Sequence, residues 1–180
     1  MLRSRKKRAT GLAALLFAWP AFAHAEVKDA GPGGFTIEQK LDIAADRAKL
    51  WRTLIHPELW WSPDHTYSGD ARQLRLAAHA GGCWCESVKG GTVEHLRVVY
   101  IQKEELLRLS GGLGPLQGMA DGAMTFTLAA DETRSGFTLS YHVWGYDPAG
   151  LDKLAPIVDQ VLAEQMARLK SVVETGKPAP

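Results

Sequence analysis

Apolar and polar side chains alternate over residues 35–43, with Phe35, Ile37, Leu41 and Ile43 on one face and Thr36, Glu38, Lys40 and Asp42 on the other. A period of two predicts a half-buried strand. The pattern then changes. Over residues 47–55, Leu50, Trp51 and Leu54 fall on one side of a helix, with Asp46 placed to cap its start and Pro57 to end it. One more short helical turn suits residues 57–61. Strand-like segments separated by glycines follow at 73–80, 82–88, 92–102, 105–110, 120–130 and 136–146. Gly90-Gly91 and the polar run 131–136 read as hairpin turns. Connections this short leave no room for crossover helices, so the sheet is expected to be antiparallel. At the end, Leu154, Val158, Val161, Leu162, Leu169 and Val173 recur at three and four, opposite Asp159, Glu164, Arg168 and Lys170. That is an amphipathic helix of about 20 residues, about 30 Å long, with Pro156 near its start where a missing N–H matters least.

This order predicts an α+β, helix-grip architecture. A curved antiparallel sheet of six to seven strands wraps around the long C-terminal helix, with short helices after the first strand. A curved sheet and a straight helix cannot touch everywhere, and the apolar cavity left between them is where a small ligand would bind. Alternation makes Cys83, Cys85, Leu96, Val98, Tyr100, Met124, Phe126, Leu139 and Tyr141 the inward candidates. Trp60 or Trp61 and Leu113 belong near the entrance. Adjacent tryptophans on a helix differ by about 100° in direction, so one would pack while the other lines the opening.

Charge changes the picture at the N-terminus. Of 21 basic residues five lie in the first eight positions, and a 13-residue apolar stretch, 11–23, follows them. It is shorter than the roughly 20 residues that span a bilayer. With Ala23-His24-Ala25 behind it, the segment reads as a secretory signal peptide, cut after Ala25 or Ala23. The expected organisation is a leader at 1–25, a linker at 26–34, one domain at 35–174 and a disordered tail at 175–180. Beyond residue 25 the chain carries 16 basic and 20 acidic groups, a net charge of −4. That balance gives no electrostatic reason to bind nucleic acid or anionic lipid. No second apolar run reaches membrane length, so the expectation is a periplasmic or secreted protein without a stable membrane span.

Candidate chemistry is sparse. Cys83 and Cys85 share one face of a strand. Their Cα atoms would lie about 6.5–7 Å apart in extended backbone, at the edge of the roughly 4.4–6.8 Å a disulfide permits. The reading taken is two small buried residues on the inner face; a strained disulfide and a thiolate–metal site are the alternatives. With Gly90-Gly91 as the turn, Glu86 faces His95 across two strands. Parity with Arg97 puts that pair on the convex face, solvated, and a proton-transferring pair inside is the alternative. His65 and Tyr67 could reach the cavity mouth. No histidine pair has metal-site spacing, and neither metal nor cofactor is expected. Residues 111–118 are glycine-rich but lack the Gly-Lys-Ser/Thr ending of a phosphate loop.

The runs Pro57-Glu58-Leu59-Trp60-Trp61, Asp64-His65-Thr66-Tyr67-Ser68-Gly69 and Gly81-Gly82-Cys83-Trp84-Cys85-Glu86 resemble the SRPBCC, START-like superfamily. So do Val93-Glu94-His95-Leu96-Arg97-Val98 and the run from Leu109 through Gly111-Gly112-Leu113-Gly114-Pro115-Leu116. The likeness spans about residues 35–173. It implies a helix-grip domain of the kind that includes polyketide cyclases, lipid-transfer domains and pollen-allergen-like carriers, and it is weak for activity. The leader departs from most members, which look cytoplasmic. The expected function is therefore a secreted protein holding an apolar or amphipathic small molecule. A cyclase- or lyase-like enzyme acting in the same cavity is one alternative, and an envelope docking module is the other.

Overall fold

The computed structural model describes residues 24–130 and 133–180. The expected leader, up to Ala23, lies outside them. The chain runs as β1 (His24–Gly31), β2 (Gly34–Ile43), α1 (Arg47–Leu54), β3 (Leu74–Leu76), β4 (Cys83–Val88), β5 (Gly91–Gln102), β6 (Leu106–Ser110), β7 (Ala120–Ala130), β8 (Ser135–Gly145) and α2 (Ala155–Thr175). The eight strands form one antiparallel sheet in the order β1-β2-β8-β7-β6-β5-β4-β3, and this sheet grips α2. The expected linker at 26–34 is mostly strand: β1 pairs with β2 from His24↔Lys40 to Gly31↔Gly34. The expected tail, 175–180, begins at the last residue of α2. Residues 176–180 fold back along α2, where Arg168 Nη1 donates to Ala179 O at 2.6 Å and Ser171 Oγ to Lys177 O at 2.8 Å.

The alternation in β2 buries Phe35, Ile37, Leu41 and Ile43, and Gln39 sits among them. Its Nε2 donates to the Asp159 carbonyl at 3.0 Å and to Asp159 Oδ1 at 3.1 Å, which sets α2 along this strand. The far end of α2 is tied down by Lys170 Nζ to Asp42 O at 2.7 Å and by Glu174 Oε1, which accepts from Ala44 N at 2.8 Å. Asp46 caps α1 as expected, accepting from Lys49 N at 2.7 Å. Helix α2 packs on β1, β2 and α1, burying Leu162, Gln165, Met166, Leu169 and Val173. Among the described residues no hydrogen bond joins α2 to β3, β4 or β5, and there the sheet curves away from it.

Two bulges in β5 break the strict alternation. Cys85 pairs with Glu94 but Trp84 pairs with Leu96, so His95 is one residue extra. Val98 pairs with Leu109 but Tyr100 with Arg108, so Val99 is another. Tyr100, expected inside, is 48% exposed together with Val99. Cys83 and Cys85 are also corrected. Trp84 and Glu86 take the inner face of β4, and a period of two then turns both cysteines outward. The local irregularity brings their Cα atoms to 5.4 Å, and they form a disulfide rather than free buried thiols. Closing a three-residue loop removes little chain entropy, about 1.5 kcal/mol by the relation that gives about 3 kcal/mol for 15 residues. The Cys83→Ser/Cys85→Ser variant is therefore expected to lose no more than about 2 kcal/mol in urea unfolding. A loss of about 4 kcal/mol would show that the bridge holds the sheet together.

Candidate functional site

Where the sheet diverges from the first half of α2 lies a cavity of about 480 Å³, within the range of small-molecule sites. Leu74, Trp84 and His95 form its sheet wall. Leu154, Ile157, Val158, Val161 and Leu162 form the helix wall. Trp61, Asp64, His65, Thr66 and Tyr67 close one side, and Leu113, Leu116 and Met119 from the β6–β7 connection close the other.

The segment before β3 is fixed by α2. Gln165 Oε1 accepts from Ser62 N at 2.7 Å, Arg168 Nε donates to Trp60 O at 3.1 Å, and His65 Nε2 meets Glu164 Oε2 at 3.2 Å. Trp60 and Trp61 are both buried, because the chain here leaves a 3-10 turn at Leu59 and is not a continuous helix. Trp60 packs behind, its Nε1 donating to Leu54 O at 3.3 Å, while Trp61 lines the cavity. The rings of Trp60, Trp61 and Trp84 meet edge to face, with centroids 5.1–5.9 Å apart.

Glu86 and His95 are neighbours, but not through the expected register: the turn is Lys89-Gly90, Glu86 pairs with Val93, and both side chains point inward. Glu86 is 1% exposed and His95 6%. The bulge is the reason: with one extra residue in β5, His95 and Leu96 both face the interior, and parity counted back from Arg97 fails. Glu86 Oε2 accepts from Tyr67 N at 3.1 Å and meets His95 Nε2 at 2.9 Å; Glu86 Oε1 accepts from Ser68 N at 2.5 Å. Burial pushes this carboxyl up, but the hydrogen bonds from Ser68, Tyr67 and His95 outweigh it and hold it below the ordinary carboxylate range. Since an ionised carboxylate only accepts, His95 Nε2 carries a proton and donates it to Glu86 Oε2. The Tyr67 ring stacks on the imidazole with centroids 5.8 Å apart.

Tyr141 does not offer its hydroxyl to the cavity. That hydroxyl donates to Gly111 O at 3.0 Å and accepts from Leu113 N at 2.9 Å, and burial pushes its pKa up to about 12. It thereby holds the glycine-rich connection that forms one cavity wall. Glycine is needed at 122, since a Cβ there would stand 2.6 Å from the Tyr141 ring. Of the inward candidates, Leu96, Val98, Met124, Phe126, Leu139 and Tyr141 are buried core beside the cavity and not in its wall. Trp61 and Leu113 do line it. The reading missed Trp84, because Cys83 and Cys85 were given the inner face instead. The helix wall was present in the three-and-four periodicity of Val158, Val161 and Leu162. On the outer face the Cys83 and Cys85 sulfurs and the Glu94 carboxylate lie within 4.8 Å of one another. The sulfurs are bridged and Glu94 pairs with Arg97, so this cluster presents no thiolate to a metal.

No family profile matches the chain, and no curated protein matches it in sequence. Solved structures do. An uncharacterised protein from Rhizobium leguminosarum is similar with a TM-score of 0.58 and 16% identity, over 84% of this chain and 97% of that one. A conserved protein of unknown function from Enterococcus faecalis gives 0.57 and 15%, over 88% and 80%. CalU16 of Micromonospora echinospora gives 0.56 and 11%, over 88% and 87%. At these identities the likeness carries the fold, a helix-grip sheet with a C-terminal helix, and nothing further.

The lowered Glu86 carboxyl has a pH consequence. Its contribution to stability is fully present above the unfolded value of about 4.3 and is lost as pH falls through the lower folded value. Unfolding measured from pH 6 to pH 2 is expected to fall less steeply for Glu86→Gln than for the wild type, with the variant about 1–3 kcal/mol weaker at pH 7. Equal slopes would contradict the inward, hydrogen-bonded carboxylate.

Proposed function

We propose that this chain is a secreted or periplasmic member of the SRPBCC, START-like superfamily that holds an apolar or amphipathic small molecule between its sheet and α2. The observation that carries this reading is the 480 Å³ cavity, walled by Trp61, Trp84, Leu116, Val158, Val161 and other mostly apolar side chains. Delivery across a membrane is supported by the basic and apolar leader and by a bridged cysteine pair, which suits an oxidising compartment. Among the described residues no helix is long and apolar enough to cross a membrane. Cleavage after Ala25 would leave β1 paired with β2 from Glu26↔Glu38 onward.

One observation favours a second reading, an enzyme of cyclase or lyase type. Such chemistry needs an acid or base inside the cavity, and His95, held by the Glu86 carboxylate, stands in its wall. The docking-module reading is less well supported, because it calls for a broad apolar surface in place of a concave pocket.

Native mass spectrometry of the chain purified from its own compartment tests the first reading. A discrete bound mass is expected, lost on organic extraction and absent from Val161→Trp, in which the indole fills the cavity. The protein's own mass is expected to begin at Glu26 or His24. A clean unliganded mass that stays so against a library of lipids and aromatics would sink the reading.

A further inference from the structure

The Cys83–Cys85 bridge lies on the outer face of the sheet; neither cysteine lines the cavity, and neither reading of the cavity uses them. Both are partly exposed, while Trp84 and Glu86, which alternate with them, are buried. A disulfide that a fold depends on gains most by closing a long loop, which removes entropy from the unfolded chain. This one joins residues two apart and ties β4 only to itself. The register around it is kept by other means. Strand β4 pairs with β5 from Cys83↔Arg97 to Val88↔Gly91 and with β3 from Leu74↔Glu86 to Leu76↔Trp84. Linkage makes the small effect reciprocal: what the bridge adds to the fold is what the fold adds to the bridge. Folding therefore protects this bond little, and an exposed disulfide of that kind is an exchangeable one.

The surroundings suit attack by a thiolate. Arg75 on β3 is the strand partner of Cys85, Arg97 on β5 is that of Cys83, and both arginines are exposed. Glu94, the β5 partner of Cys85, brings its carboxylate within 4.8 Å of the sulfurs and pairs with Arg97. Two guanidinium groups against one carboxylate leave a net positive charge around the bridge. An incoming thiolate is attracted there. A departing thiolate also leaves faster beside a cation, which lowers its pKa.

We propose that the Cys83–Cys85 bridge is a second functional site, an exchangeable disulfide that oxidises paired thiols on another protein. A thiolate of that substrate protein attacks one sulfur and forms a mixed disulfide as the Cys83–Cys85 bond breaks. The other cysteine leaves as a thiolate and takes a proton from water. The substrate's second thiolate then attacks the substrate's own sulfur in the mixed disulfide, and the remaining cysteine is released and protonated in turn. Two electrons pass from the substrate dithiol to the bridge. The substrate gains a disulfide, and the two protons its thiols lose are matched by the two that Cys83 and Cys85 gain. The sheet stays closed throughout, because its strand pairs flank the bridge on both sides.

The test starts with the purified chain held without air in about 10 mM reduced and about 0.1 mM oxidised glutathione, its thiols counted by alkylation and mass spectrometry. More than about nine-tenths of the chain is expected to carry both thiols, with its near-ultraviolet circular dichroism unchanged. Separately, the bridged chain is mixed with an equimolar reduced peptide bearing two cysteines. At least about half of the peptide is expected to become oxidised, and none with the Cys83→Ser/Cys85→Ser variant. A bridge that stays closed in the glutathione buffer, a reduction that unfolds the chain, or a peptide left reduced by the bridged chain overturns the proposal. All three are read on the wild type, so a double variant that failed to fold would not spare it.

Discussion

A carboxylate removed from water must be met by donors, and in this protein the donors that meet Glu86 are the site. Two are the backbone amides of Tyr67 and Ser68, in the segment that closes one side of the cavity. The third is the ring of His95, in the wall. Without the carboxylate, the Tyr67–Ser68 corner would have no anchor on β4 and His95 Nε2 no acceptor. An isolated buried carboxylate is among the least tolerable groups in a folded chain. Fully hydrogen-bonded, the same group becomes an organising centre that joins loop, sheet and cavity.

The cavity itself follows from a mismatch of shapes. Helix α2 is held along β2 by Gln39, Asp42 and Ala44, at the side of the sheet farthest in strand order from β3. A straight helix fixed there cannot follow the curve through β5, β4 and β3. The gap is closed by side chains from irregular segments: Trp61 to Tyr67 on one side, Leu113 to Met119 on the other. Each closing segment is fastened by buried polar groups. Gln165 and Glu86 hold the first, and the Tyr141 hydroxyl holds the second. The volume is therefore built into the scaffold, with its polar groups already placed. Tyr67, exposed, rests on the His95 ring without being packed into the core.

Much of this was legible in the chain. Alternation located β2 and β4 to β8 closely, the three-and-four stripe located α2, and Asp46 marked the start of α1. Their order called for a helix-grip sheet. What period counting could not supply was its own interruption. One inserted residue at His95 reverses which side chains of β5 face inward, and no composition signal marks a bulge. The same counting placed the two cysteines inside because thiols are small and often buried, yet Trp84 between them is larger and claims that face. Strand β1 was missed because Glu26, Lys28 and Asp29 give an edge strand almost no apolar pattern; β2 imposes its pairing. Core and cavity wall were also indistinguishable in sequence. Leu96 and Met124 carry the same pattern as a lining residue, and only the path of α2 separates them.

The most direct test of this account is the protonation of the His95 ring, read by nitrogen-15 NMR across the neutral pH range. The account predicts a proton held on Nε2, toward the Glu86 carboxylate, throughout that range. A ring that carries its proton on Nδ1, or that averages both forms as a solvated histidine does, would contradict it.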